Sequence, residues 1–92
     1  MEFEWDALKA AANANKHGVL FDYAVSVFLD DGRLDFEDTR RDYQEERRVA
    51  IGEIDEQLFV IVYTLREKTI RIISARKANG RERRQYAGSL PS

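Results

Sequence analysis

The spacing of hydrophobic positions changes character along the chain. It begins with alternation: Phe3 and Trp5 stand against Glu2 and Glu4, the pattern of a short half-buried strand. Asp6 can then cap ALKAAANANKH (7–17), whose alanines favour helix. Lys16 and His17 fall in the last turn of that helix and Gly18 just beyond it, where helices commonly stop. A second helix is predicted over 21–29, with Asp22 as its cap and Val25, Phe28 and Leu29 on one face. Asp30-Asp31-Gly32 closes it with a turn.

From Arg33 the period becomes two. Leu34 and Phe36 alternate with Asp35 and Glu37 in a partly exposed strand, 39–46 is a polar loop, and 47–54 is a strand with Val49 and Ile51 on one face. Asp55-Glu56 leads into the richest stretch, LFVIVYTLREKTIRIISAR (58–76). Its two β-prone runs, 58–66 and 69–76, are separated only by Glu67-Lys68 and read as a β-hairpin. Centring the turn there pairs Thr64 with Arg71, Tyr63 with Ile72, Val62 with Ile73 and Ile61 with Ser74. One face then carries Phe59, Ile61, Tyr63, Leu65, Ile70 and Ile72, all bulky enough for a core. The other carries Val60, Val62, Thr64, Arg71, Ile73 and Ala75, a half-polar surface open to another purpose. Beyond it, Asn79-Gly80-Arg81-Glu82 has the spacing of a capping box, which predicts a short basic helix over 80–86 and a loose tail over 88–92. Strand, two helices, four strands and a short helix predict an α+β domain with an antiparallel sheet.

Composition narrows the chemistry. Ninety-two residues suit a single domain, 1–92. Cysteine is absent, which excludes disulfides and thiolate chemistry. One histidine is too few for an ordinary zinc site, so neither a metal nor another cofactor is expected. No apolar run approaches the roughly 20 residues of a membrane span. The MEFEWD start is acidic, unlike a secretory leader, so a cytoplasmic protein with no membrane partner is expected. The net charge of −2 hides a gradient. Residues 1–38 hold nine acids and three bases, 39–64 six and four, and 65–92 two and eight. A basic C-terminal third is a usable footprint for phosphates, although charge runs are as often plain solvated surface.

Phe3-Glu4-Trp5-Asp6, Lys9, Lys16-His17-Gly18-Val19, Arg71-Ile72-Ile73-Ser74-Ala75-Arg76, Glu82-Arg83 and Tyr86, in that order over nearly the whole chain, resemble the BrnT toxins of type II toxin–antitoxin systems. The resemblance implies a small RelE-like ribonuclease domain, with two N-terminal helices on one face of the sheet and a short C-terminal helix. It implies RNA cleavage that inhibits translation. It also implies a heteromeric complex with a cognate BrnA-like ribbon-helix-helix antitoxin, which binds DNA and represses the operon. The family usually continues Gly-Val-Ser-Phe-Glu-Glu-Ala, where Ser and Glu form a capping box. Leu20 and Tyr23 stand at those two positions, which leaves the helix start to Asp22. The alternative is a non-catalytic module that binds a protein or nucleic acid through the open sheet face.

Cutting RNA without a metal takes a base for the 2′-hydroxyl, an acid for the leaving 5′-oxygen and cations for the phosphorane between them. An imidazole such as that of His17 exchanges protons near neutrality, or simply complements the dipole at its helix end. Arg71 on the half-polar face and Arg76 at the strand end are candidate phosphate clamps. Their odd spacing puts them on opposite faces unless the strand bends. Glu82 is either a capping-box acid or a proton carrier. These four are the candidate catalytic residues. Lys16, Arg81 and Arg84 are candidate RNA-binding cations, equally explained as solvated charge. Tyr86 is a candidate base-stacking ring, or packs its helix on the sheet. Tyr63 faces the bulky side and is expected in the core.

Overall fold

In the computed structural model, which describes residues 1–40 and 45–90, the chain begins with β1 (Glu2–Glu4) and α1 (Ala7–His17). Next come α2 (Phe21–Ala24), a 3₁₀ turn (Val25–Leu29) and the strands β2 (Leu34–Glu37), β3 (Arg48–Ile54), β4 (Gln57–Arg66) and β5 (Thr69–Lys77). α3 (Gly80–Ser89) closes the chain. The class is α+β, as expected. β2 to β5 form an antiparallel meander, and β1 joins the far edge parallel to β5, giving the order β1-β5-β4-β3-β2. The chain enters the sheet at one edge and re-enters at the other, so α1 and α2 must cross it between the two.

The face they cross is the main core. Val19, Phe21, Ala24, Val27 and Phe28 pack there with Ile61, Tyr63 and Ile72 of the sheet. Phe28 meets Tyr63 edge-on, with ring centroids 5.1 Å apart. Burying each large apolar side chain of this kind contributes about 1.5–3 kcal/mol. Gly52 lets the 3₁₀ turn approach β3, because a Cβ there would lie 2.8 Å from Val27 Cγ1. The opposite face holds a smaller cluster of Val49, Ile51, Val60, Ala78 and Tyr86, covered by α3. Val60 is therefore buried by the chain itself and does not contribute to an open surface.

Several expectations change. The hairpin register holds at Thr64–Arg71 and Tyr63–Ile72, then slips so that Val62 pairs with Ser74 and Ile61 with Ala75. Ile73 is thus an extra residue, a β-bulge. Ala75 turns into the main core with no exposure, and Arg76, opposite Val60, turns to the face that Arg71 occupies. Leu65, assigned to the core, is 54% exposed because it lies at the hairpin tip beside exposed Arg66.

The second helix is only four residues long before it tightens into 3₁₀, and Leu20 precedes it without any side-chain cap from Asp22. Phe21, Ala24 and Val27 are the reason: apolar residues three apart fit a three-residue turn, and Leu29 is left 82% exposed. α3 runs on to Ser89 through part of the expected tail. Residues 41–44 of the expected loop, and 91–92 of that tail, lie outside the described residues.

Candidate functional site

Lys16 and His17 end α1, and Asn13 one turn earlier sets where that end lies. The Asn13 side chain accepts from the backbone N–H of Ala75 (3.1 Å) and donates to its carbonyl (2.8 Å) and to that of Val19 (3.1 Å). β1 pairs with β5 only as far as Arg71. Beyond that, the Asn13 amide supplies partners that a neighbouring strand would otherwise provide. It pins the C-terminus of α1 to the end of β5. Gly18 then stops the helix in the left-handed region (φ 70°), with its N–H on the Ala14 carbonyl at 2.8 Å. Lys16 is exposed and His17 half-buried. Sequence reading missed Asn13; the only trace was an asparagine inside an alanine-rich helix.

Arg76 leaves the same strand end on the other face. Its guanidinium donates to both Glu82 carboxylate oxygens, at 2.8 and 2.7 Å. Glu82 also accepts the Asn79 N–H at 2.9 Å, while Asn79 Oδ1 accepts the Glu82 N–H at 2.8 Å. One carboxylate therefore starts α3 and orients Arg76. The Arg76 contact holds the Glu82 carboxyl below its ordinary range against the opposing effect of burial, and the same contact raises Arg76. A carboxylate held so low stays ionised near neutrality and gives up no proton there. Arg40, bidentate to the buried Asp38 at 2.9 and 3.0 Å, adds a second positive charge felt by both members of the pair.

Arg71 stands apart. The bulge puts it on the face of Arg76, but five residues of strand, roughly 16 Å, separate them. Its side chain lies 3.6 Å from Glu4 of the neighbouring edge strand. Arg81 and Arg84 are exposed on α3. Tyr86, expected to be able to stack on a base, turns inward and is 7% exposed. Its hydroxyl donates to Asp30 at 2.6 Å; that bond first, and burial second, push it up to about 12. Stacking a base on this ring requires α3 to leave the sheet.

Tyr63 is in the core as expected, yet its hydroxyl reaches a polar rim that sequence reading did not find. It donates to Asp35 at 2.5 Å and accepts from Arg48 at 3.3 Å. Burial first, then Asp35, push it up to about 12.

The end of β5 is thus where α1 stops and, three residues on, α3 starts. Lys16 and His17 lie on one side of it, and Arg76, Glu82 and Arg81 on the other. Among the described residues, no helix is long and apolar enough to cross a membrane. Residues 5–82 match the family model described as ribonuclease toxin, BrnT, of type II toxin-antitoxin system. No curated protein matches the chain.

Proposed function

The chain belongs to the BrnT family of ribonuclease toxins, and on that premise we propose an endoribonuclease that cuts RNA by metal-independent acid–base chemistry and so inhibits translation. It acts in the cytoplasm as one RelE-like domain over 1–92. A cognate BrnA-like ribbon-helix-helix antitoxin neutralises it in a heteromeric complex. The observation that carries the reading is that the end of β5 is tied on one face to the end of α1, through Asn13 and Ala75, and on the other to the start of α3, through Arg76 and Glu82. With His17 on one side of that strand end and the Arg76 guanidinium, oriented by Glu82, on the other, RNA passing the end of the sheet would meet an imidazole and a cation, two of the kinds of group that 2′-hydroxyl attack uses.

His17 takes the 2′-hydroxyl proton as the 2′-oxygen attacks phosphorus, and the imidazolium so formed returns a proton to the 5′-oxygen as the P–O5′ bond breaks. Arg76, held by Glu82, meets the charge that builds on the phosphorane, and its planar fork suits two phosphate oxygens. Glu82 is a positioning residue in this mechanism, because its carboxyl is held ionised by Arg76. Lys16, Arg81 and Arg84 hold the RNA backbone by charge. Arg71 engages a phosphate further along the strand.

Cleavage of single-stranded RNA by the purified protein in EDTA, compared with His17→Ala and His17→Lys, tests the reading. Lysine keeps a cation at the helix end but exchanges no proton near neutral pH. Both variants are expected to fold and to lose roughly a hundredfold or more of the activity. A fully active His17→Lys protein assigns His17 to capping and overturns its catalytic role. Activity that EDTA abolishes and magnesium restores overturns the metal-independent chemistry.

A further inference from the structure

A cleft of about 280 Å³ opens beside Gly18, directly after Lys16 and His17, and is lined by Gly18, Leu20, Tyr23, Gln57, Phe59 and Lys77. It lies between the α1–α2 junction and the β3–β4 turn. Three features separate it from an ordinary gap in packing. The first is Tyr23, whose ring is 40% exposed and yet fixed at two points. Its hydroxyl donates to Asp55 at 2.9 Å, and its ring meets Phe59 at a 79° interplanar angle, with centroids 5.7 Å apart. An aromatic ring that is both exposed and immobilised is a stacking platform with little side-chain entropy left to lose.

The second feature is the polar complement. Gln57 brings a side-chain amide, with two donors and an acceptor, and Lys77 an ammonium, and both residues are exposed. The neighbouring cleft, about 230 Å³ and lined by Trp5, Ala10, Ala14, Phe21 and Asp22 among others, offers a carboxylate where this one offers a cation. Lys77 thus gives this cleft a cation for a phosphate that its neighbour lacks, with the Asp55 carboxylate engaged by the Tyr23 hydroxyl. The third is size. At about 280 Å³ the cleft falls below the roughly 300 Å³ at which sites for drug-sized ligands begin, which suits one ring system.

We propose that this cleft binds one unpaired nucleobase of the RNA, stacked on Tyr23 and read by Gln57, with Lys77 on the adjoining phosphate. The inference rests on the ribonuclease reading and deepens it: Gly18, the residue after His17, lines the cleft, so the base it selects is one beside the cut. Lys77 follows Arg76 on the strand and faces the opposite way, so β5 presents one cation to each side of its end.

The experiment is a two-dimensional amide NMR titration of the whole protein with adenosine or uridine 5′-monophosphate, and with ribose 5-phosphate as the probe without a base. The nucleotides are expected to move the Gly18, Tyr23 and Gln57 signals, and ribose 5-phosphate to leave them in place. Tyr23→Leu should weaken nucleotide binding at least about fivefold, while Tyr23→Phe, which keeps the ring, stays within about twofold. Gln57→Ala and Lys77→Glu, both at exposed positions, should also weaken it and serve if Tyr23→Leu does not fold. Equal response to ribose 5-phosphate, unchanged affinity in these variants, or a cleft that responds only to the antitoxin would each overturn the proposal. Binding needs no turnover. A protein that binds nucleotides and fails to cut RNA therefore counts against the ribonuclease reading alone, and one that cuts RNA with an indifferent cleft counts against the cleft alone.

Discussion

The two faces of the sheet are covered by different physics. Under α1 and α2 lies the large apolar layer of Phe21, Val27, Phe28, Ile61 and Ile72. Over the other face α3 contributes one buried ring, Tyr86, and is otherwise held by polar ties, Tyr86 to Asp30 and Arg76 to Glu82. Area burial is non-directional and tolerant of pH, whereas hydrogen-bonded carboxylates are directional and can be protonated away. The side that holds the oriented arginine is therefore the side more easily loosened.

The largest effect expected from this contrast is on the apolar layer. Phe21→Ala should cost about 3–5 kcal/mol in urea unfolding; a loss below about 1 kcal/mol would mean that the layer is not the main core. Asn13→Ala comes next, at about 1–3 kcal/mol, because it strands the Ala75 N–H and carbonyl at a buried position. If it proves neutral, Asn13 is not what pins α1. Tyr86→Phe removes one hydrogen bond and should cost about 1 kcal/mol. Its signature is faster amide exchange in α3 with little change under α1, and uniform change across both faces would erase the distinction.

The smallest effects are in pH, where the signs differ between the two ends of the scale. Asp30 is pushed up by burial, but hydrogen bonds from Tyr86 and from the Glu53 and Gly32 backbones outweigh this and hold it low. Glu82 is held low by Arg76. A carboxyl lowered by folding stabilises the fold above its unfolded value, and that stability is lost as pH falls through the folded one. Acid should therefore loosen α3 first, with a smaller effect at the Asp6 cap of α1. Tyr86 and Tyr63 are raised from 10.0 to about 12, so their contribution is whole below pH 10 and fades as pH rises towards 12. One tyrosine serves each face, so alkali should weaken both. Exchange rates that rise together in acid would contradict this division.

What was legible in the sequence was local. Asp6 and Gly18 bracket α1 within one element, and the Asn79–Glu82 spacing marks the start of α3. The parallel pairing of Phe3 with Ile70 leaves no local trace, since the partners lie at opposite ends of the chain. Ile72 and Ile73 are equally suited to a strand, and nothing in either announces which is the extra residue. That gap reached the site. The charge gradient made the cations visible, but Arg76 shares a face with Arg71 only through the bulge, and Tyr86 was buried by a contact with Asp30 that lies 56 residues away.

Side-chain direction in a strand has parity, and the bulge at Ile73 is a change of parity. Every residue after it, from Ser74 to Lys77, points where its neighbour would have pointed in an unbroken ladder. Deleting one residue there would exchange the outlooks of Arg76 and Lys77 without altering either side chain. A sheet of this kind can thus move a positive charge from one side to the other by insertion or deletion alone, a route that scanning by substitution never samples.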